Sequence, residues 1–500
     1  MIETMETSTI DELMALSGVT FGTSGARGRV EAMTDRICYT YTRGYLQYLK
    51  AQGELQAGMS VALAGDLRAS TPRIMTAVAH AIVDADCVPL NCGFVPTPAL
   101  ALFGIRRAIP SLMVTGSHIP DDRNGIKFYR TGGEILKADE AGIREQVVSV
   151  NAAMFDDQGR RILPFALPSE DRSAYRCYLD RYVDFFPRRC LAGRRIGVYE
   201  HSSVTREVLK DILVTLGADL VSLGRTDRFV PVDTEAVREQ DVTMARRWAV
   251  THRLDALVST DGDGDRPLVS DEHGTWMRGD VAGVLCARYL GVKHLVTPVS
   301  SNTLVDKCGW FDSVTRTRIG SPYVVQAMNQ LLGDGADSVA GYEANGGFLT
   351  GDSLIRDGSS LLPLPTRDGV IVLLAVLMSA VIGRQTVSSL LAELPPRFTA
   401  SGRLQAFPTE LSRQCMARLN SGDQERDAAA VKALFGKVCG GVSFLDRTDG
   451  LRITFDNEEI VHLRPSGNAP ELRCYNEANS PERAMQLNRI CLNILEGWRD

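Results

Sequence analysis

The sequence predicts an α/β protein of four units, three of one kind and a last one of another. Three observations carry this. Short apolar runs alternate with helical patterns from Ile37 to about Ile382, the rhythm of strands joined by crossover helices in a largely parallel sheet. The runs break repeatedly into glycine-rich polar loops at strand ends, where open α/β sheets place their ligands. Beyond Pro395-Pro396, two apolar strands pair across a short polar turn, which is an antiparallel hairpin.

The first unit, residues 1–165, opens with the loop Phe21–Gly28, whose glycines, hydroxyls and Arg27 can turn toward an anion. A helix follows through Ile37, Tyr41, Tyr45 and Leu49, then a strand at Ser60–Ala64, a helix begun by Pro72 and a strand at Cys87–Leu90. The apolar run Ser111–Val114 then stops at Thr115-Gly116-Ser117-His118, with Pro120 beyond it. Gly116 is expected to free the backbone and Pro120 to prevent a return to the ladder, so the loop presents the Ser117 hydroxyl at a strand end.

Two prolines near Phe165–Ser169 mark the next boundary, and the second unit, residues 166–275, repeats the alternation. Its strand Ala256–Ser259 opens into Asp261-Gly-Asp263-Gly-Asp265-Arg266. Three carboxylates at alternate positions converge on one point, and each close pair repels by ~3–4 kcal/mol at an effective dielectric near 20. A hard divalent cation is the natural occupant. An EF-hand fits less well despite Glu272, because Arg266 stands where that loop needs glycine and the flanks read as strands. The third unit, residues 276–390, delivers Gly341-Tyr-Glu343-Ala-Asn345-Gly-Gly347 from a strand end. A carboxylate and a carboxamide there suit bidentate bonding to vicinal hydroxyls, and read alone the motif equally fits a polar turn. The apolar stretch from Val370 to Ile382 is too short for a membrane span of ~20 residues and reads as a buried helix.

The last unit, residues 391–500, pairs Leu451–Phe455 with Ile460–Leu463. It then runs through Arg464-Pro-Ser466-Gly467-Asn468-Ala-Pro470 to Arg473. Arg464, Ser466, Gly467, Asn468 and Arg473, with loop amides, make a phosphate cradle. Ser480-Pro-Glu-Arg caps the final helix.

A net charge of −6 argues against nucleic acid or an anionic membrane as partners, so an anionic small molecule must be held by local arginines. Eleven cysteines without a CxxC pair read as reduced thiols of a cytoplasmic protein. Cys87 and Cys92 lack the further ligands of a zinc site. The acidic start of the chain carries no basic leader segment.

Taken together, Phe21–Gly28, Thr115–Lys127, Asp261–Arg266, Gly341–Gly347 and Arg464–Arg473 resemble, in this order and along the whole chain, the α-D-phosphohexomutase family. The resemblance rests on Thr115-Gly-Ser-His-Ile-Pro120, Asn124-Gly-Ile-Lys127 and the acidic loop. It implies three related mixed-sheet α/β domains and a C-terminal α+β domain similar to the TATA-binding-protein fold, around one cleft. It implies a phosphoserine at Ser117, and Mg²⁺ held by Ser117, Asp261, Asp263 and Asp265. Transfer would proceed through a hexose 1,6-bisphosphate, which is also the activator. Arg27, Lys127 and His118 are implied to serve the moving phosphoryl group and its proton. Arg266, Glu343, Asn345 and the C-terminal cradle would bind a small hexose phosphate, in a monomer or homodimer.

Ile119 stands where the family has Asn, Asn345 where Ser is usual, Gly347 where some members have His, and Ser-Gly-Asn-Ala-Pro where Ser-Gly-Thr-Glu-Pro is commoner. These variants resemble bacterial members of the phosphomannomutase/phosphoglucomutase type that feed GDP-mannose synthesis. The expected reaction is therefore interconversion of mannose 6-phosphate and mannose 1-phosphate, with glucose and glucosamine phosphates as alternative substrates. A non-catalytic sugar-phosphate-binding homologue and a plain sugar phosphatase are the rivals; Ser117 with three aspartates speaks against the first and the distal cradle against the second.

Overall fold

A computed structural model describes residues 5–22, 25–466 and 470–499. The chain divides into two compact units, Met1–Leu295 with Ser321–Ala392, and Val296–Gly320 with Glu393–Asp500.

In the larger unit the first sheet runs in the order Thr20–Phe21, Gly25–Arg29, Arg123–Arg130, Ser111–Val114, Ser60–Gly65, Val88–Phe94. Pairs joined through helices are parallel: Ser60–Gly65 lies parallel to both Val88–Phe94 and Ser111–Val114. Ser111–Val114 and Arg123–Arg130 are antiparallel, because only the loop 115–122, with no crossover helix, joins them. The sheet is thus mixed rather than largely parallel. Asn124–Lys127, read as part of the serine loop, lies in the Arg123–Arg130 strand. The helices Asp35–Ala51 and Thr71–Val83 bury Tyr41, Tyr45, Leu49, Ile74 and Val78 in the core with Leu63, Leu112 and Phe128.

The second sheet is ordered Asp219–Leu223, Arg195–Tyr199, Ala256–Thr260, Pro267–Ser270. Its last two strands form an antiparallel hairpin whose turn is the acidic loop. Further on, Val339–Tyr342, Phe348–Thr350 and Leu364–Asp368 pair antiparallel. The helix Gly369–Gly383 that follows is buried almost all round, as its unbroken apolar composition requires. Among the described residues no helix is long and apolar enough to cross a membrane.

The smaller unit contains a five-stranded antiparallel sheet ordered Phe398–Leu404, Leu472–Ala478, Ile460–Pro465, Leu451–Phe455, Val442–Asp446. Leu451, Ile453, Val461, Leu463 and Cys474 enter one core with Phe435 and Leu487 from its helices. The helices Thr409–Leu419 and Gln424–Cys439 were not foreseen from sequence. Ser480 caps Pro481–Glu496 by accepting from the Arg483 amide.

Candidate active site

Ser117 follows a central strand and is 2% exposed. It is Ser117 that adopts the left-handed conformation, at φ 55, not Gly116. Gly116 is required for another reason. A Cβ there would lie 2.6 Å from the Arg68 guanidinium carbon, and that guanidinium is the frame of the loop. Arg68 donates from Nη2 to the Ser117 and Ile119 carbonyls at 2.9 and 2.7 Å. From Nη1 it donates to the Pro120 and Arg123 carbonyls at 2.8 and 3.1 Å, and from Nε to Asp66 Oδ2 at 3.1 Å. Its face stacks on Phe229, 3.8 Å from the ring centroid. Asp66 in turn accepts from the Thr71 and Thr115 hydroxyls, both at 2.7 Å. The backbone of the loop is thereby held where the Ile119 side chain offers no hydrogen bond.

The acidic loop presses directly on the serine loop. A Cβ on Gly262 would stand 2.7 Å from the Ser117 carbonyl oxygen, so glycine is required by close approach. Ser117 Oγ donates to Asp261 Oδ2 at 2.7 Å and lies 3.3 Å from His118 Nδ1. Lys127 Nζ bridges Asp263 Oδ2 and Asp265 Oδ2 at 2.7 and 2.6 Å. Thr97 Oγ1 also donates to Asp263 Oδ2, at 2.5 Å. Arg266 sits more loosely, 3.9 Å from Asp261 and 3.7 Å from Asp265. Arg27 is partly exposed, and its side chain has no ion-pair or hydrogen-bond partner among the described residues; Thr23 and Ser24 of its loop lie outside them.

All three aspartates are fully buried, with one oxygen of each within 4.8 Å of the others. Asp263 Oδ1 and Asp265 Oδ1 are buried with no hydrogen-bond partner. Buried carboxylate oxygens left bare are costly, and hard oxygen donors converging on one point fit a divalent cation of the Mg²⁺ type. Glu272 is not part of this group, since its carboxylate accepts from the Ser388 hydroxyl and amide. With strands on both flanks, an EF-hand is excluded.

The charges order themselves accordingly. Burial raises Asp261 well above the usual carboxylate range, helped by Asp263 and Asp265. Burial would do the same to Asp265, but Arg367, Lys127 and Arg266 outweigh it and hold it well below that range. Burial disfavours charge on Lys127 too, yet Asp263 and Asp265 keep it firmly protonated. His118 is driven well below its ordinary value by burial, then by Arg266 and Arg27, so its ring is neutral and resists protonation. Burial, with Arg266, Arg68 and Arg367 nearby, lowers Arg27 to about 10.

Glu343 and Asn345 are each 5% exposed, and each has one end anchored. Glu343 Oε2 accepts from Arg367 Nη1 at 2.9 Å, and Asn345 Oδ1 accepts from the Gly347 amide at 2.9 Å. Among the described residues, Glu343 Oε1 and Asn345 Nδ2 carry no hydrogen bond. The expected bidentate offer from each side chain is therefore halved: the pair presents one acceptor and one donor.

In the smaller unit Arg464 and Arg473 stand directly opposite each other on adjacent strands, and Arg403 stands opposite Arg473 on the other side. Like charges in cross-strand register repel, and Asp449 and Glu471 supply only partial compensation. The row favours an anion. The Ser466 amide donates to the Glu471 carbonyl at 2.8 Å, closing the turn; Gly467 and Asn468 lie outside the described residues. Sequence reading missed Arg68, Thr97, Arg367 and Arg403. Arg367 had one signal, a basic residue beside Asp368 just ahead of an apolar helix.

Four sequence profiles describe this architecture. Phosphoglucomutase/phosphomannomutase α/β/α domain I matches residues 18–153, domain II 177–274 and domain III 278–398, and the C-terminal domain matches 417–491. The chain belongs to the phosphoglucomutase/phosphomannomutase family. It is 42% identical over 480 residues to a phosphomannomutase of Salmonella muenchen, covering 96% of each chain. A phosphomannomutase of Sinorhizobium fredii is 41% identical over 478 residues, covering 96% of this chain and 99% of that one. Its fold is similar to a crystal structure of a phosphoglucomutase/phosphomannomutase family protein from Burkholderia thailandensis. That match has a TM-score of 0.71 and 19% identity, and covers 95% of this chain and 97% of the other.

Proposed function

We propose that this chain is a phosphohexomutase, and specifically a phosphomannomutase that interconverts mannose 6-phosphate and mannose 1-phosphate. The Ser117 hydroxyl donating to Asp261 inside a buried aspartate trio carries the reaction class. Identity above 40% with two phosphomannomutases supports the sugar.

Ser117 is the phosphoryl carrier. The free sugar hydroxyl attacks phosphorus, the new O–P bond forms as the Oγ–P bond breaks, and a hexose bisphosphate results. The proton the sugar hydroxyl gives up is balanced by the one Oγ takes on as serine leaves, and His118 Nδ1, 3.3 Å from Oγ, stands beside the atom that receives it. Asp261, Asp263 and Asp265, together with Ser117, would hold Mg²⁺, which when bound would offset charge on the phosphoryl oxygens. Arg27, which has no ion pair among the described residues, stabilises the same oxygens, while Lys127 fixes two of the aspartates. Arg266 orients the acidic loop. Glu343 Oε1 and Asn345 Nδ2 grip adjacent sugar hydroxyls. Arg464, Ser466, Gly467, Asn468 and Arg473, with Arg403, hold the phosphate that is not being transferred. The bisphosphate turns, and Ser117 takes back the other phosphate. Eleven free thiols accord with a reducing cytoplasm.

Intact-mass analysis with peptide mapping tests the reading. Phosphate on Ser117, present on purification or gained from a hexose 1,6-bisphosphate with Mg²⁺, is the expected result. Protein unmodified under both conditions would leave a sugar-phosphate-binding homologue. kcat/KM for mannose, glucose and glucosamine phosphates decides the sugar, and a glucosamine preference refutes mannose.

A further inference from the structure

We infer that Arg367 is a positioning residue that ties the acidic loop to Glu343 and determines which oxygen of Glu343 faces the sugar. Arg367 is 4% exposed at the end of the Leu364–Asp368 strand. It donates from Nη2 and Nε to Asp265 Oδ2 at 2.8 and 3.1 Å. From Nη1 it donates to Glu343 Oε2 at 2.9 Å and Ser321 Oγ at 3.1 Å. One rigid fork therefore binds two loops that are far apart in sequence.

A buried arginine serving stability alone would be matched to structural carboxylates. This one is matched to two that line the site. Asp265 has a second cation in Lys127, whereas Glu343 has no ion-pair partner except Arg367 among the described residues. Without Arg367, Glu343 would be a buried carboxylate free to rotate, and neither oxygen would be committed to a ligand. The fork is itself fixed. Asp368, the next residue, accepts from Tyr178 at 2.7 Å and from Tyr182, and it caps the following helix through the Val370 amide. Gly347 completes the arrangement: a Cβ there would stand 2.7 Å from Arg367 Cγ and Cδ, so the stem of the arginine occupies the space a side chain at 347 would need. Arg367 and Gly347 are thus a linked pair.

This inference rests on the mutase reading for the identity of the ligand. Mannose 1-phosphate binding to EDTA-treated protein is measured by calorimetry for wild type, R367M, R367K, E343Q and R367M/E343Q, with kcat, KM and thermal midpoint for the Mg²⁺-loaded enzymes. R367M is expected to weaken binding about tenfold, the scale of one charge-assisted contact. R367M/E343Q is expected to bind no worse than R367M, because the two residues act as one unit. R367K keeps the charge but lacks the fork that reaches both carboxylates; its thermal midpoint is expected to fall with the lost bonds, and its KM, measured well below that midpoint, to rise at least threefold. R367M binding like wild type, effects that multiply in the double variant, or an unaltered KM in R367K would each overturn the inference. If R367M does not fold, R367K alone decides. Wild-type protein that neither binds nor converts any hexose phosphate would overturn the proposed function, and this inference with it; failure in the variants alone overturns only the inference.

Discussion

Replacing Arg68 by lysine tests whether the serine loop is held by a frame of hydrogen bonds or only by its own turn. The guanidinium uses all five of its N–H groups, one on Asp66, three on loop carbonyls and one on the carbonyl of Arg123, where the next strand begins. An ammonium has three donors, so at least two contacts are lost. At about 1 kcal/mol net for each, the loss is about 2 kcal/mol before the cost of leaving carbonyls buried and bare. In a domain of ~150–250 residues such a loss lowers the thermal midpoint by about 4–8 °C, and in the larger compact unit that holds Arg68 by somewhat less. The loop carries the nucleophile, so displacement of Ser117 by even ~1 Å is expected to cut kcat by about 100-fold. Thermal unfolding, hydrogen exchange over residues 115–123 and steady-state kinetics measure the three effects. R68K with wild-type midpoint, protection and kcat would refute the frame.

G116A drives a methyl to within 2.6 Å of the same guanidinium; kcat is expected to fall at least tenfold, and activity equal to wild type would refute the packing. His201 is fully buried, donates from Nε2 to the Thr260 carbonyl at 2.8 Å, and is lowered by burial from 6.5 to about 4. Its folded value lies below its unfolded one, so the stability it confers is complete above about pH 6.5 and lost as pH falls toward 4, about 3 kcal/mol in all. Denaturant titrations between those limits should show a shallower acid limb in H201N; an identical limb would assign the loss elsewhere. Mg²⁺ at a hundred times its Kd should stabilise the folded protein by about 2.7 kcal/mol, and a thermal midpoint unmoved by the ion would contradict the cation site. EDTA should abolish turnover, and Mg²⁺ should restore it.

What the sequence disclosed depended on whether a function was written in adjacent residues. Ser117 and the three aspartates stand in short runs whose composition makes sense only as chemistry. Their placement side by side followed from strand ends. Arg68 and Arg367 are single residues most of whose partners lie far along the chain, and beyond a neighbouring aspartate in each case nothing local distinguishes them from surface arginines. Gly116 was legible as a necessary glycine but not for the right reason, because the neighbour that excludes a side chain, Arg68, is 48 residues earlier. The direction of the strand at Arg123–Arg130 turned on the absence of a helix across residues 115–122. The helices Thr409–Leu419 and Gln424–Cys439 escaped notice because they bury polar groups such as Ser412 and Asp427 as well as apolar ones.

The half-anchored Glu343 and Asn345 also set terms for inhibitor design. A compound bearing an amidine or guanidine fork, built to chelate Glu343 with two donors, would meet one oxygen already engaged by Arg367. It would have to evict a buried cation to gain its second bond, which costs several kcal/mol. A neutral group offering a single donor to Glu343 Oε1 and a single acceptor to Asn345 Nδ2, spaced like two neighbouring hydroxyls, matches what is open and disturbs nothing behind it.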